Sequence, residues 1–181
     1  VPVAYEIAKA LQSDFSLIIS RKLPFPHNPE SGFGALAEDG SSVILDQAFS
    51  IFSPETIETI KKEQKKEIKR RIQVLRGGRP LPKISDRVVI LVDDGIAMGS
   101  TIRASIKLIA KQDPKSLIVA SPVSSPEVCK ALKEKATVDE VVILEQPRYF
   151  RAVAQAYENW RDIPDYEVIS IMNEWQRIKN H

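Results

Sequence analysis

Residues 88–105 read VVILVDDGIAMGSTIRAS, and this stretch decides the fold class. Its first five residues are apolar and four of them are β-branched, which predicts a strand buried in a parallel sheet. Asp93 and Asp94 follow that strand directly, and Gly99-Ser100-Thr101 then opens a helical pattern. Parallel sheets bind their ligands beyond the carboxyl ends of the strands. We therefore expect the two aspartates to stand at the functional edge of the sheet.

The rest of the chain alternates between strand and helix patterns. Further buried strands are predicted at Phe15–Ser20, Ser42–Leu45, Ser116–Ala120 and Val141–Leu144, with a weaker candidate at Gly34–Glu38. Helices are predicted from Val3, from Pro54 to the Gly77-Gly78 pair, over Thr101–Gln112, from Pro126 to about Lys135, and from Asp165. This alternation predicts an α/β fold in which helices flank a Rossmann-like, mainly parallel β-sheet.

The stretch Leu23–Asp39 is the least regular part of the chain. It contains three prolines and two glycines, and it directly follows the basic pair Arg21-Lys22. We expect this stretch to be a long loop that acts as a lid or as a binding element.

Composition limits the classes of partner. The 181-residue chain has a formal charge of only +2, so neither a nucleic acid nor a membrane is an expected partner. The block KKEQKKEIKRR at 61–71 is the exception, because its seven basic and two acidic residues give a local charge of +5. The single cysteine, Cys129, excludes an intrachain disulfide and favours a reducing, cytoplasmic setting. His27 and His181 lack metal-ligand spacing, so no zinc site is expected.

The chemistry of the central motif favours a phosphorylated sugar. A helix that begins at Gly99-Ser100-Thr101 offers free N–H groups, a partial positive charge and two hydroxyls, which suit a phosphate group. Carboxylates repel a phosphate, so Asp93 and Asp94 should face something else. Sugar hydroxyls and a divalent cation both need anionic oxygen acceptors.

Three alternatives fit the motif less well. A Walker B strand also ends in acidic residues, but the chain contains no G-x-x-x-x-G-K-[ST] phosphate loop. In phosphoacceptor domains the paired acids come early in the chain, and no Gly-Ser-Thr turn follows them. The third alternative is purely structural, an Asp-Gly turn before a well-capped helix.

The stretch VVILVDDGIAMGST resembles the phosphoribosyl pyrophosphate (PRPP) signature of the type I phosphoribosyltransferases. In that family the two acids bind the ribose 2- and 3-hydroxyls, and the loop after them wraps the 5-phosphate. Arg21-Lys22 resembles a basic pair that reaches the pyrophosphate, and the segment after it resembles the flexible lid of the family. RGGRP at 76–80 and EQPRYF at 145–150 are similar to segments of uncharacterised bacterial and archaeal phosphoribosyltransferase-like proteins.

The resemblance implies a magnesium-dependent pentosyltransferase. Such a glycosyltransferase moves the 5-phosphoribosyl group from PRPP to a nitrogenous acceptor, here unknown, and releases pyrophosphate. The implied catalytic residues are Asp93, Asp94 and Lys22. The implied PRPP-binding residues are Arg21, Lys22, Asp93, Asp94, Gly95, Ile96, Ala97, Met98, Gly99, Ser100 and Thr101. Mg²⁺ would be held through PRPP and water near the aspartates, without a direct protein ligand, and a homodimer is expected because homodimers are common in the family.

Two departures from the family pattern narrow the expectation. Ala97 stands where many purine-specific members carry an acid, which argues against a hypoxanthine or guanine acceptor. Met98 replaces a residue that is commonly threonine, so the loop relies more on backbone N–H groups. In the similar proteins a pyrophosphate loop ending in Arg-Gly-Gly precedes Val-Pro-Val-Ala, so we expect such a segment upstream of Val1.

The resemblance also implies a domain plan. We expect one phosphoribosyltransferase domain over 1–181, with a helical insertion at 46–84 and a C-terminal helical hood or tail at 147–181. Four aromatic residues near that tail could stack on a planar base, or could form a packed core or a dimer surface. They are Tyr149, Phe150, Tyr157 and Trp160.

A second function stays open at this point. Some proteins of this fold bind PRPP or a nucleotide as a signal, without turnover, and regulate a nucleic acid or a partner. The basic block at 61–71 is the feature that would serve such a role, although Glu63 and Glu67 dilute its charge.

Overall fold

The computed structural model of the protein describes residues 1–150 and 152–179, apart from the side chain of Glu30. Arg151, Asn180 and His181 lie outside the described residues. The structure therefore does not test the expectation for His181. It also does not test the predicted hood or tail at these three positions.

The described chain forms two compact units. The first contains Val1–Leu17, Pro80–Met98 and the residues from Asp113 onward, and the second contains Ile18–Arg79 and Gly99–Gln112. In chain order the elements are α1 (Pro2–Leu11), β1 (Ser20–Phe25), β2 (Asn28–Ala37), β3 (Ser42–Ile44), α2 (Asp46–Ile51), α3 (Pro54–Arg76), β4 (Val88–Val92), α4 (Ser100–Ala110), β5 (Ser116–Val123), α5 (Pro126–Lys133), β6 (Glu140–Glu145), a 3₁₀ turn (Val153–Ala156) and α6 (Asp165–Lys179).

The first unit is built on a parallel sheet with the strand order β4-β5-β6. The register pairs Val92, the last residue of β4, with Ala120 of β5. Strand β5 lies in the middle, and its Leu117, Val119 and Val123 are almost fully buried. This parallel sheet and its flanking helices confirm the predicted α/β class.

Strand β6 is covered on one face only. Burial alternates along it, and Val142 and Leu144 are 41% and 78% exposed. The prediction of a strand buried on both faces is therefore wrong for β6, although the strand itself is confirmed. Four apolar residues in a row predict a strand but do not determine how many of its faces are covered.

Helices α1 and α6 pack together in the first unit through three aromatic rings. The ring centroids of Tyr5, Phe15 and Trp175 lie 6.0 to 6.2 Å apart, and two of the three pairs meet edge to face. The hydroxyl of Tyr5 donates to Glu174 Oε1 at 2.6 Å. Edge-to-face contacts of this kind add to the free energy gained by burying the rings.

The second unit contains an antiparallel sheet with the strand order β1-β2-β3. The long loop expected over Leu23–Asp39 is wrong, because most of this stretch belongs to strands β1 and β2. Its prolines lie near the turn, where the ladder is irregular and a missing N–H costs little. Position 34 requires glycine for a steric reason, because a Cβ atom there would lie 2.2 Å from the carbonyl oxygen of Val43.

The strand predicted at Ser42–Leu45 is confirmed as β3, but its parallel pairing is wrong. Strand β3 runs antiparallel to β2, with Gly34 opposite Ile44. A tight turn joins the two strands, and Gly40 adopts a φ of 91° within it. Such a backbone conformation favours glycine.

The helices of the second unit confirm the local signals in the sequence. The Ser53 hydroxyl accepts a hydrogen bond from the N–H of Thr56 at the start of α3, and Gly77 ends that helix with a φ of 60°. Apolar residues of α3 and of α4 are buried against β1 and β2. The short helix α2 was not predicted as a separate element, although it lies within the helical insertion expected at 46–84.

The strand predicted at Phe15–Ser20 is wrong for residues 15–19, which form no strand, whereas Ser20 begins β1. Phe15 packs on the aromatic rings of the first unit, and Leu17 and Ile19 are buried. The N–H of Ile19 donates to a side chain, Glu38 Oε1, at 2.9 Å. The apolar run therefore reflects burial without a strand partner.

Within the described residues, no helix combines the length and the apolar character that a membrane span requires.

Candidate functional site

Asp93 and Asp94 lie in the first unit at the point where β4 ends. Backbone hydrogen bonds attach both ends of this short loop to β5. The N–H of Asp93 donates to the carbonyl of Ala120 at 3.1 Å, and the N–H of Ile96 donates to the carbonyl of Val123 at 2.9 Å. The loop therefore presents two adjacent carboxylates at the carboxyl end of a parallel strand.

The two carboxylates perturb each other. The N–H of Asp94 donates to Asp93 Oδ1 at 2.9 Å. Burial, and then the neighbouring carboxylate of Asp94, raise the pKa of Asp93 from its usual 3.8 to about 7. Hydroxyl donors or a cation next to such a carboxyl pair would stabilise its ionised form.

Ile96 anchors the loop. Its side chain is 2% exposed, and it forms a parallel bridge with Ser124. Its carbonyl accepts hydrogen bonds from the Ser124 hydroxyl at 3.1 Å and from the N–H of Ser125 at 3.2 Å. Because its own N–H is bonded to β5, Ile96 has no free backbone donor for a ligand. Two other residues of the implied PRPP-binding set lie in different surroundings. The side chain of Met98 is 62% exposed. The carbonyl of Ala97 lies 3.4 Å from the Ser125 hydroxyl.

No motif in the sequence singles out Ser124 and Ser125, which the structure places against the loop. Their position supplies a signal nonetheless, because they directly follow β5. Parallel strands that neighbour each other end at the same edge of the sheet, so polar residues after β5 are expected near those after β4. The Ser125 hydroxyl also accepts from the N–H of Val128, which caps α5.

Two residues from further along the chain also contact the aspartate loop. The hydroxyl of Tyr157 donates to the carbonyl of Asp94 at 2.7 Å. The side chain of Val153 lies against Gly95, where a Cβ atom would be 2.4 Å from Val153 Cγ1. The ring of Tyr157 in turn lies 5.3 Å from that of Trp160, which is 42% exposed. The sequence proposed Tyr157 only as a stacking or packing residue, and nothing in it predicts these contacts.

The end of the motif belongs to the second unit. Gly99 has a φ of 74° and precedes α4, which begins at Ser100. Because glycine has no side chain, it cannot cap the helix, whereas Ser53 and Ser125 cap α3 and α5. The first N–H groups of such a helix are free to bind an anion.

Arg21 and Lys22 are consecutive residues of β1 in the second unit. Consecutive side chains of a strand point to opposite faces, so the pair does not act as one unit. Arg21 Nε donates to Gln64 Oε1 of α3 at 3.3 Å. Burial, and then the charge of Arg71, lower the pKa of Arg21. An anion at this position would offset that crowding of positive charge.

The basic block at 61–71 lies on α3 and is partly neutralised. Arg70 and Arg71 both donate to Glu67, at 2.8 to 3.0 Å, and Lys61 Nζ lies 2.6 Å from Glu58 Oε1. The two arginines lower the pKa of Glu67 to about 2. A shallow cavity of about 450 Å³ lies beside the start of the block. It is lined by Leu36, Gly40, Glu58, Thr59, Lys61, Lys62 and Lys65.

Comparison with known proteins identifies the family. The model of the phosphoribosyl transferase domain matches residues 1–152. The chain belongs to the phosphoribosyl transferase domain family. Two Mycobacterium tuberculosis proteins, from strains CDC 1551 / Oshkosh and ATCC 25618 / H37Rv, are provisionally named phosphoribosyl transferases and are each 33% identical over 179 residues. These residues are 98% of this chain, which spans 40% of the length of either relative.

A solved structure supports the same conclusion for the fold. The crystal structure of TT1426 from Thermus thermophilus has a TM-score of 0.75 and 34% sequence identity to this chain. The similarity covers 96% of this chain and 82% of the other. Family membership confirms the resemblance inferred from VVILVDDGIAMGST, and it indicates a transferase. Val153 and Tyr157, which contact the aspartate loop, lie beyond the residues that the family model matches.

Proposed function

We propose that the protein transfers the 5-phosphoribosyl group of PRPP to a nitrogenous acceptor and releases pyrophosphate. The observation that carries this proposal is the pair of adjacent carboxylates at the end of β4, in a chain of the phosphoribosyl transferase domain family.

Asp93 and Asp94 would accept hydrogen bonds from the ribose hydroxyls. When a nucleophile displaces pyrophosphate from C1, positive charge develops on the ribose ring. The chain then has little covalent chemistry to perform, and its residues act by positioning, by neutralising charge and by excluding water. Fixing the hydroxyls on two carboxylates orients C1 towards the acceptor.

The phosphate groups of PRPP need different partners. The free N–H groups at the start of α4, together with the hydroxyls of Ser100 and Thr101, would bind the 5-phosphate. Lys22, which lies on the face of β1 opposite to Arg21, would bind the pyrophosphate and support its departure.

Mg²⁺ fits the chemistry of this loop as a partner bound with PRPP. The described residues contain no group of three or more His, Cys, Asp or Glu side chains placed to hold a metal ion. Mg²⁺ commonly binds through one or two carboxylates, several waters and substrate phosphates, so a full protein cage is not required. Asp93 and Asp94 would hold metal-bound water. The ion would supply positive charge next to the pyrophosphate and the two carboxylates.

The test of turnover is release of pyrophosphate from PRPP in the presence of a panel of nitrogenous acceptors. Asp93→Asn keeps the shape of the side chain but removes its charge. We expect turnover to fall about tenfold to a hundredfold, the effect of about 1–3 kcal/mol for a lost acceptor whose partner stays buried. Asp162→Asn, an exposed aspartate of the same unit, is the matched control. Full activity of Asp93→Asn would remove the proposed role of this residue.

The cavity beside Lys61, Lys62 and Lys65 favours a second candidate function. A protein that binds PRPP as a signal, without turnover, would use this basic face for the phosphates of a nucleic acid. Its test is RNA binding measured at 50 and 200 mM salt, with Lys62→Gln/Lys65→Gln as the variant. Binding that falls steeply with salt and is lost in the variant would support this function. Pyrophosphate release with an acceptor would support the enzyme instead.

A further inference from the structure

The segment 152–160, here called the strap, holds the part of the aspartate loop that β5 does not hold. Backbone bonds to β5 attach Asp93 and Ile96. Asp94 and Gly95 lie between these two attachments, and each is contacted by the strap. Tyr157 donates to the Asp94 carbonyl, and Val153 packs on Gly95.

The strap has a defined local structure. Its 3₁₀ turn covers Val153–Ala156, and the N–H of Ala152 donates to Gln155 Oε1 at 3.2 Å. Tyr157 directly follows that turn, so Val153 and Tyr157 are held in a fixed relation to each other. A short closed turn places both side chains on the loop without requiring a long, flexible connection.

The hydroxyl of Tyr157 donates a hydrogen bond to one peptide group of the aspartate loop. The carbonyl of Asp94 belongs to the Asp94–Gly95 peptide, and rotation of that peptide changes the backbone next to the Asp94 carboxylate. Burial, and then the charges of Asp94 and Asp93, raise the pKa of Tyr157. The phenol therefore keeps its proton at neutral pH and remains a donor.

We propose that Tyr157 is a positioning residue that orients the Asp93–Asp94 carboxylates for the ribose hydroxyls of PRPP. This inference rests on the proposed function. It assigns the strap to substrate recognition rather than to packing alone. Tyr157 touches the loop and not the reacting atoms, so its removal should change ribose recognition and leave recognition of free pyrophosphate intact.

The experiment compares the affinity of the protein for two probes, PRPP with Mg²⁺ and inorganic pyrophosphate without it, so that no metal-bound water links the second probe to the aspartates. Tyr157→Phe removes one hydroxyl and keeps the ring. We expect its affinity for PRPP to be about fivefold to tenfold weaker, the effect of one hydrogen bond. Its affinity for pyrophosphate, which has no ribose hydroxyls, should change less than twofold. Tyr166→Phe makes the same chemical change at a tyrosine of α6 that is 74% exposed, and it should bind both probes like the wild type.

A second pair of variants tests the contact of Val153 with Gly95. Gly95→Ala places a methyl group where Val153 lies, and valine has little freedom to move away. We expect Gly95→Ala to weaken PRPP binding, and Gly95→Ala/Val153→Ala to restore most of it. If the double variant does not recover PRPP affinity, the strap does not position the aspartate loop through the contact of Val153 with Gly95.

The outcomes separate the inference from the function on which it rests. Wild-type protein that fails to bind PRPP would overturn the proposed function, and the inference with it. Wild-type binding together with an unchanged PRPP affinity in Tyr157→Phe would overturn the inference alone. Equal losses for PRPP and pyrophosphate, with a lower melting temperature, would assign Tyr157 a structural role and would also overturn it.

Discussion

At the residue scale, Asp93 is the group whose pKa is most clearly changed by its surroundings. Burial and the neighbouring Asp94 raise its pKa to about 7, whereas the same carboxyl in an unfolded chain titrates near its usual 3.8. Between these two values the folded protein binds more protons than the unfolded chain. The contribution of Asp93 to stability is therefore lost as the pH rises through this interval.

The prediction concerns the ligand-free protein in a metal chelator. The Asp93→Asn variant has no carboxyl group to ionise at this position, so it does not lose stability in this way as the pH rises. We expect the melting temperature of Asp93→Asn, measured relative to the wild type, to rise progressively between pH 5 and pH 8. Asp162→Asn, whose carboxyl is exposed, should show no such trend. A difference between Asp93→Asn and the wild type that stays constant over this range would contradict a raised pKa.

Residue types at the site were predictable where chemistry and position coincide. Two acids after an apolar run and a glycine before a helical pattern were enough to predict that Asp93 and Asp94 follow a strand and that Gly99 precedes a helix. The face on which a side chain lies was harder to predict. Arg21 and Lys22 look like a pair in sequence, but in β1 they point to opposite faces.

At the element scale, helix α3 begins with a serine, a proline and an acidic residue. The Ser53 hydroxyl accepts from the N–H of Thr56 at 3.2 Å. We expect Ser53→Ala to lower the free energy of unfolding by about 1 kcal/mol, the typical effect of losing an N-cap. Ser50→Ala, at an exposed serine in α2, is the control. Urea denaturation of both variants checks the prediction, and equal midpoints for the two would contradict it.

Elements with local signals were predicted, and those that depend on distant partners were not. Caps, proline and glycine lie within a few residues of the helix ends that they mark, so α3, α4, α5 and α6 could be predicted from the sequence. The pairing of a strand depends on residues far along the chain. Apolarity alone therefore failed at Phe15–Ser20, and proline and glycine content failed at Leu23–Asp39.

The contact between the strap and the aspartate loop could not be predicted from the sequence for the same reason. Tyr157 lies 63 residues from Asp94 in sequence and belongs to an irregular segment. No periodicity connects the two residues, and only the folded chain brings them together. The sequence therefore predicts the acidic half of the site, and the structure adds the residues that hold it.

At the scale of the whole molecule, the family relation spans both compact units, since it covers residues 1–152. The named relatives are much longer than this chain, which spans 40% of their length. Function is therefore best tested through PRPP, the ligand proposed for the aspartate loop. The central claim is that residues 93–101 bind it.

Calorimetric titration of PRPP, with and without Mg²⁺, tests this claim most directly. The titration uses this chain in its wild-type form and as two single variants. We predict magnesium-dependent binding with micromolar affinity, which Asp93→Asn and Asp94→Asn each weaken at least tenfold, the effect of losing one buried acceptor. Absence of binding by the wild-type chain, or binding that neither substitution changes, would contradict the account.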